Sequence, residues 1–330
     1  MKIYSLLTTV LSLTFLLLAS VANAQTDVLE SVIAQKTDVK LDESSSVEPD
    51  RKYYYPAGLI ALPARTQFLI WAELESGTLN LLERLTEKNY RVVKRIPISI
   101  GKAGTGKETE GDKRTPLGVY RVTTRIPQSE LSDFYGIGAY PINYPNNWDR
   151  LNQRTGSGIW LHGSPDGSDP RPLLDSDGCV VVDNESLNFL ESYIIPGQTP
   201  IVLGKQLEWV ATDSIDGADT LLEALDAWER SWESRDPSRY LSNYHRDFSD
   251  HTRNLQAWRA HKIRLNRQKL FIDVTVRDIT AFEYPGAEDT VSMHFYQTYE
   301  SNNYNWSGWK ELIWKKDANG QWKILFEGDA

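Results

Sequence analysis

The chain has 330 residues, with 36 Lys and Arg against 45 Asp and Glu, for a net charge of −9. That balance argues against nucleic acid or an anionic lipid surface as a partner recognised through bulk charge. The length points to two domains, and the single Cys excludes an internal disulfide.

The first residues read MKIYSLLTTVLSLTFLLLASVANAQ. Lys2 supplies a positive start, Leu6 to Leu18 an apolar run, and Ala22-Asn23-Ala24 a small-residue cleavage site. These features predict an export signal cleaved after Ala24. The run falls short of the ~20 apolar residues that a spanning helix needs, and no later segment is long and apolar enough. No membrane span is therefore expected after cleavage. Residues 25–64, with LDESSSVEPD, are expected to form a polar leader and linker.

From residue 65 the texture changes. QFLIWAEL and TLNLLERL flank Glu-Ser-Gly, which predicts a hairpin, and YRVVKRIPISIG continues as a strand. GVYRVTTRI and GIWLHG predict further strands. DNESLNFLESYI predicts a short helix behind an Asp or Asn cap, and TPIVLG a closing strand. The expectation is a mainly β domain over 65–205, then a polar linker over 206–218. In the last segment, 219–330, Leu222, Leu225, Trp228 and Trp232 are spaced along one face of a helix. NLQAWRAHKIRL predicts a second helix, and KLFIDVTVRDITAFEY, DTVSMHFYQTYES, GWKELIWKKD and GQWKILFEG four strands. Helices followed by an antiparallel meander define an α+β domain.

The lone thiol lies in DSDGCVVVDN. A thiol becomes a nucleophile on ionisation, and a free pKa of about 8.5 leaves little thiolate at neutral pH. It needs a base within hydrogen-bond reach. His162, in GIWLHGSPDG, follows a predicted strand and precedes a Gly turn, with enough chain before Cys179 to return beside it. Gly178 permits a tight turn before the thiol, and the amides of Gly178 and Cys179 could face a developing oxyanion. The residues fit a Cys–His acyl-transfer site; a buried structural Cys beside a satisfied core His is the alternative. His245, His251 and His261 lack Cys or carboxylates at ligand spacing and read as surface or capping residues.

GIWLHGSPDG followed by SDGCVVV resembles the signature of the L,D-transpeptidase catalytic domain, also called the YkuD domain. EGDKRTPLGVY resembles that family's upstream Gly-Asp…Thr-Pro segment, and GAYPINYPNNWDR is similar to a murein-trimming subgroup. The resemblance implies a β-sandwich-like fold, a periplasmic location, and Cys attack on the L-to-D bond of peptidoglycan stem peptides. Cys179 matches the nucleophile, His162 the general base, Gly178 the oxyanion turn, and Ser176 the motif's first residue. No metal or organic cofactor is implied. The chain departs from the family at Asp177, where many members carry His, and at Val181, where they carry Arg or Asn. Arg171 is the expected substitute for the missing carboxylate-binding side chain, with Arg114 and Arg125 behind it. The acyl-enzyme could pass to an amine, giving transpeptidation, or to water, giving carboxypeptidase trimming of tetrapeptides. The subgroup also includes amidases, and an inactive murein-binding module is the reading from another class. The segment from LDAWERSWESRDPSRYLSNY to the end resembles a nuclear-transport-factor-2-like cone, an accessory α+β domain found in cell-shape enzymes of this subgroup. The oligomeric state is left open by the sequence.

Overall fold

A computed structural model describes residues 54–165, 171–211 and 218–330. The expected signal peptide, most of the leader and the centre of the 206–218 linker lie outside the described residues.

The first domain is built on two larger sheets, beside which Ile100–Gly101 pairs with Leu174–Ser176. One has five strands in the order Asn89–Pro97, Thr78–Thr86, Phe68–Glu73, Pro200–Gly204 and Gly118–Arg121. The expected hairpin is its nucleus: Phe68–Glu73 pairs antiparallel with Thr78–Thr86, turning at Gly77, where φ is +69°. The second sheet runs Val180–Val181, Trp160–His162, Gly138–Pro141 and Ile126–Pro127. Ile70, Leu79, Leu81, Tyr120, Leu161, Val180, Ile201 and Leu203 fill one core, each 1 % exposed or less. Helix Asn184–Glu191 closes it. The Asp183 carboxylate accepts the Ser186 amide at 2.6 Å as its N-cap, and the helix turns Leu187 and Leu190 inward.

The second domain wraps helices Ala218–Glu233, Pro237–Leu241 and Leu255–Asn266 around a sheet. Its strands Ile272–Glu283, Thr290–Ser301, Trp306–Lys316 and Trp322–Asp329 form the predicted meander. The buried stripe of the first helix is Leu221, Leu225, Trp228 and Trp232. Leu221 takes the place expected for Leu222, because the full i, i+4, i+7, i+11 row centres one residue earlier. His245 is 7 % exposed rather than a surface residue, and His251 packs its ring against Phe326.

Two expectations fail here. The leader is ordered over its last residues: Tyr54–Pro56 pairs with Trp209–Ala211, and Leu59–Ala61 joins the second domain's sheet beside Ala281 and Phe282. A polar linker leads one to expect few contacts between the domains it joins, and here it does not keep them apart. Leu69, Trp71, Leu82, Val119 and Val202 of the first domain share a buried core with Phe282, Tyr284, Ile313 and Phe326 of the second. Asn146 Nδ2 donates to Tyr284 Oη at 2.9 Å, and Asn147 Nδ2 to Glu311 Oε2 at 2.6 Å. Burying side chains of this size contributes roughly 1.5–3 kcal/mol each. Four of them weigh heavily against the roughly 5–15 kcal/mol that holds a whole domain folded. A chain ending near Thr212 should therefore melt well below the full chain and bind a dye for exposed apolar surface. An unchanged first-domain melting transition in that truncation would contradict the packing account.

Candidate active site

His162 ends the strand Trp160–His162, which runs parallel to Val180–Val181 in the register Leu161↔Val180 and His162↔Val181. The same register puts Cys179, one residue before that strand, opposite Trp160. Side chains alternate across a strand, so Leu161 and Val180 enter the core while His162 and Cys179 share the other face. The register sets Cys179 two positions short of His162 along the paired strands, and each side chain has its own main-chain partner, Gly158 for the thiol and Gly163 for the imidazole.

The turn before the thiol is held by hydrogen bonds from three sides. Gly178 has φ +127°, and a Cβ there would come within 2.9 Å of the Arg114 carbonyl oxygen. Its carbonyl accepts from Thr115 Oγ1 at 3.0 Å, and Thr115 Oγ1 in turn accepts the Gly101 amide at 2.9 Å. Ser176 Oγ donates to the Cys179 carbonyl at 2.6 Å and accepts the Gly178 amide at 3.1 Å. This gives Ser176 a turn-forming role and gives the Thr-Pro segment a job the sequence did not show. It also commits the Gly178 N–H, expected to face an oxyanion, to Ser176 instead.

His162 is 1 % exposed, and its Nδ1 lies 2.7 Å from the Gly163 carbonyl oxygen. A carbonyl can only accept, so Nδ1 carries the proton and Nε2 holds the free lone pair. The rings of Tyr135 and Phe134, from the turn Asp133–Tyr135, stand 5.1 and 6.0 Å from the imidazole centre. Asn184 ties the neighbouring loops together. Its Oδ1 accepts the Ile137 amide at 3.2 Å, and its Nδ2 donates to the Ser164 carbonyl at 2.9 Å. A Cβ at Gly163 would sit 2.2 Å from that Oδ1, which explains the glycine after the histidine.

The Cys179 thiol donates to the Gly158 carbonyl at 3.4 Å. Burial pushes its pKa up to about 11, although a main-chain hydrogen bond from Trp160 opposes the rise. Burial also brings His162 down to about 4, with the Gly163 hydrogen bond opposing and the nearby Arg171 charge adding to the fall. The pair thus rests as neutral thiol and neutral imidazole across the physiological range.

The three arginines proposed as carboxylate readers are all engaged. Arg171 grips Asp175 through Nε at 3.0 Å and Nη2 at 2.8 Å, with only 11 % of its side chain exposed. Arg114 donates to the Thr105 carbonyl, and Arg125 pairs with Glu191 at 2.6 Å. Val181 is buried, and Asp177 is exposed beside Lys102. Lys107, missed in the sequence, is buried against Asp112 at 2.9 Å, and its charge reaches the thiol.

Residues 70–203 match the model of the L,D-transpeptidase catalytic domain, and residues 220–328 that of the Cds6 C-terminal NTF2-like domain. The chain therefore carries an L,D-transpeptidase catalytic domain followed by an NTF2-like domain. Among solved structures, the chain is similar to Bd1075 of Bdellovibrio bacteriovorus, at 29 % identity and a TM-score of 0.70, covering 83 % of this chain and 97 % of that one. It is also similar to a variant of the helical cell shape determining protein Pgp2 of Campylobacter jejuni. That match has 25 % identity and a TM-score of 0.69, and covers 82 % and 93 % of the two chains. No curated protein matches the chain.

Proposed function

We propose that the protein is a periplasmic, cysteine-dependent L,D-transpeptidase acting on the L-to-D bond of peptidoglycan stem peptides. The observation that carries this reading is the protonated Nδ1 of His162, which leaves Nε2 as a base on the face it shares with Cys179. In the first step, Nε2 takes the thiol proton as sulfur attacks the peptide carbonyl carbon. The Cys179 amide is the remaining donor for the oxyanion. The C–N bond then breaks, the imidazolium returns its proton to the leaving amine of the D-amino acid, and a thioester remains. An amine from a second stem attacks the thioester to give a cross-link and restores the thiol.

Hydrolysis of the same thioester would make the protein a trimming carboxypeptidase. The likeness to a helical cell shape determinant favours keeping this second reading. An inert murein-binding module fits less well, since an oriented imidazole on the face it shares with the lone thiol serves no binding role. Digestion of purified tetrapeptide muropeptides followed by mass spectrometry separates the outcomes. Cross-linked dimers support transpeptidation, tripeptides support trimming, and unchanged substrate sinks both.

The neutral resting pair sets a pH signature. A thiol with pKa about 11 should be alkylated by iodoacetamide at a rate that climbs steadily from pH 6 to 9. A rate already level by pH 6 would mean a preformed thiolate–imidazolium pair and would contradict the neutral resting state.

A further inference from the structure

Between the edge strand Gly118–Arg121 and the second domain lies a cavity of about 400 Å³, within the size range of small-ligand sites. The first domain lines it with Arg121, Thr123, Asn143 and Gln198, and the second with His294 and Trp309. None of these residues belongs to the thiol site.

Arg121 is the unusual member. Its Nη1 lies 2.9 Å from His294 Nδ1. A guanidinium can only donate, so His294 accepts at Nδ1 and carries its proton on Nε2, which faces Glu311 Oε1 at 3.3 Å. Burial and the Arg121 charge keep His294 neutral. Among the described residues, no carboxylate stands within 4.0 Å of the Arg121 guanidinium, and its other N–H groups have no protein partner. Arg65, Arg125, Arg154 and Arg171 each have such a carboxylate. Glu311, on the far side of His294, acts on Arg121 only at longer range, and the planar donor fork of arginine matches a carboxylate.

We propose that this interdomain cavity binds the carboxylate of a short peptide, with Arg121 gripping the carboxylate. The neutral side chains of Thr123, Asn143 and Gln198 suit peptide amides, and Trp309, 39 % exposed, offers an apolar wall. A stem tetrapeptide is the natural probe, a choice that rests on the reading of the thiol site.

The test titrates the full-length Cys179→Ala protein with free stem tetrapeptide and follows the Trp309 indole signal by NMR, assigned with Trp309→Phe. A saturating shift is expected. Arg121→Gln should weaken it about 10- to 100-fold, as expected for losing a charged hydrogen bond, and amidating the peptide carboxylates should do the same. Thr280→Trp, which fills the cavity from the second domain's wall and leaves the arginine in the sequence, should also block the shift. An absent shift, one insensitive to Arg121→Gln and Thr280→Trp, or equal binding of inorganic phosphate would overturn the proposal. Turnover of muropeptides by the unmodified protein is scored separately. A shift without turnover sinks only the transpeptidase reading, and turnover without a shift sinks only the cavity site.

Discussion

Replacing Cys179 by Ser is expected to lower muropeptide turnover by about 10⁴–10⁶-fold, the usual loss when a covalent nucleophile is removed. A hydroxyl is far harder to ionise than a thiol, so a base matched to the thiol leaves the serine oxygen a much weaker nucleophile. Cys179→Ala should be equally inactive. Both variants should keep the wild-type melting temperature within a few degrees. The side chain is half-buried, and its sulfur makes only a long bond to the Gly158 carbonyl. Circular dichroism melts beside the activity assay check both halves. Turnover retained in either variant would remove Cys179 from the chemistry.

The second large effect is expected at His162. His162→Gln should reduce turnover by ~10²–10⁴-fold, the range for a positioned general base. A Gln amide can still donate toward the Gly163 carbonyl and fill part of the space beside Tyr135, but it cannot take a proton. The loss should therefore fall mainly on kcat rather than KM. A rise in KM at constant kcat would mean that His162 positions substrate and that another group takes the thiol proton.

The parts of the fold that the sequence reveals are local. The hairpin around Gly77, the helix behind Asp183 and the C-terminal meander each follow from side-chain alternation or from a cap within a dozen residues. His162 and Cys179 are legible because the glycines that shape their turns lie next to them. What the sequence hides is held by distant partners. Tyr54–Pro56 and Leu59–Ala61 are too short to show a period, and each becomes a strand only by pairing with a segment more than 150 residues away. Asn184 reads as part of a helix start, yet its amide clamps the loops on both sides of His162. The Gly178 amide looked free because nothing in Ser-Asp-Gly-Cys says that the serine hydroxyl will claim it. Arg171 looked free because its partner, Asp175, lies four residues ahead on the short strand Leu174–Ser176, where no helix announces a pair at that spacing.

The account depends most on a covalent intermediate at the single thiol. Rapid acid quenching of the protein during turnover of a tetrapeptide muropeptide, followed by intact-mass and peptide-mapping spectrometry, tests it directly. The expected result is a mass increase equal to the stem acyl group, carried on the fragment containing Cys179 and absent from Cys179→Ala. Product accumulating while the protein's mass stays unchanged, at the same rate in Cys179→Ala, would contradict it.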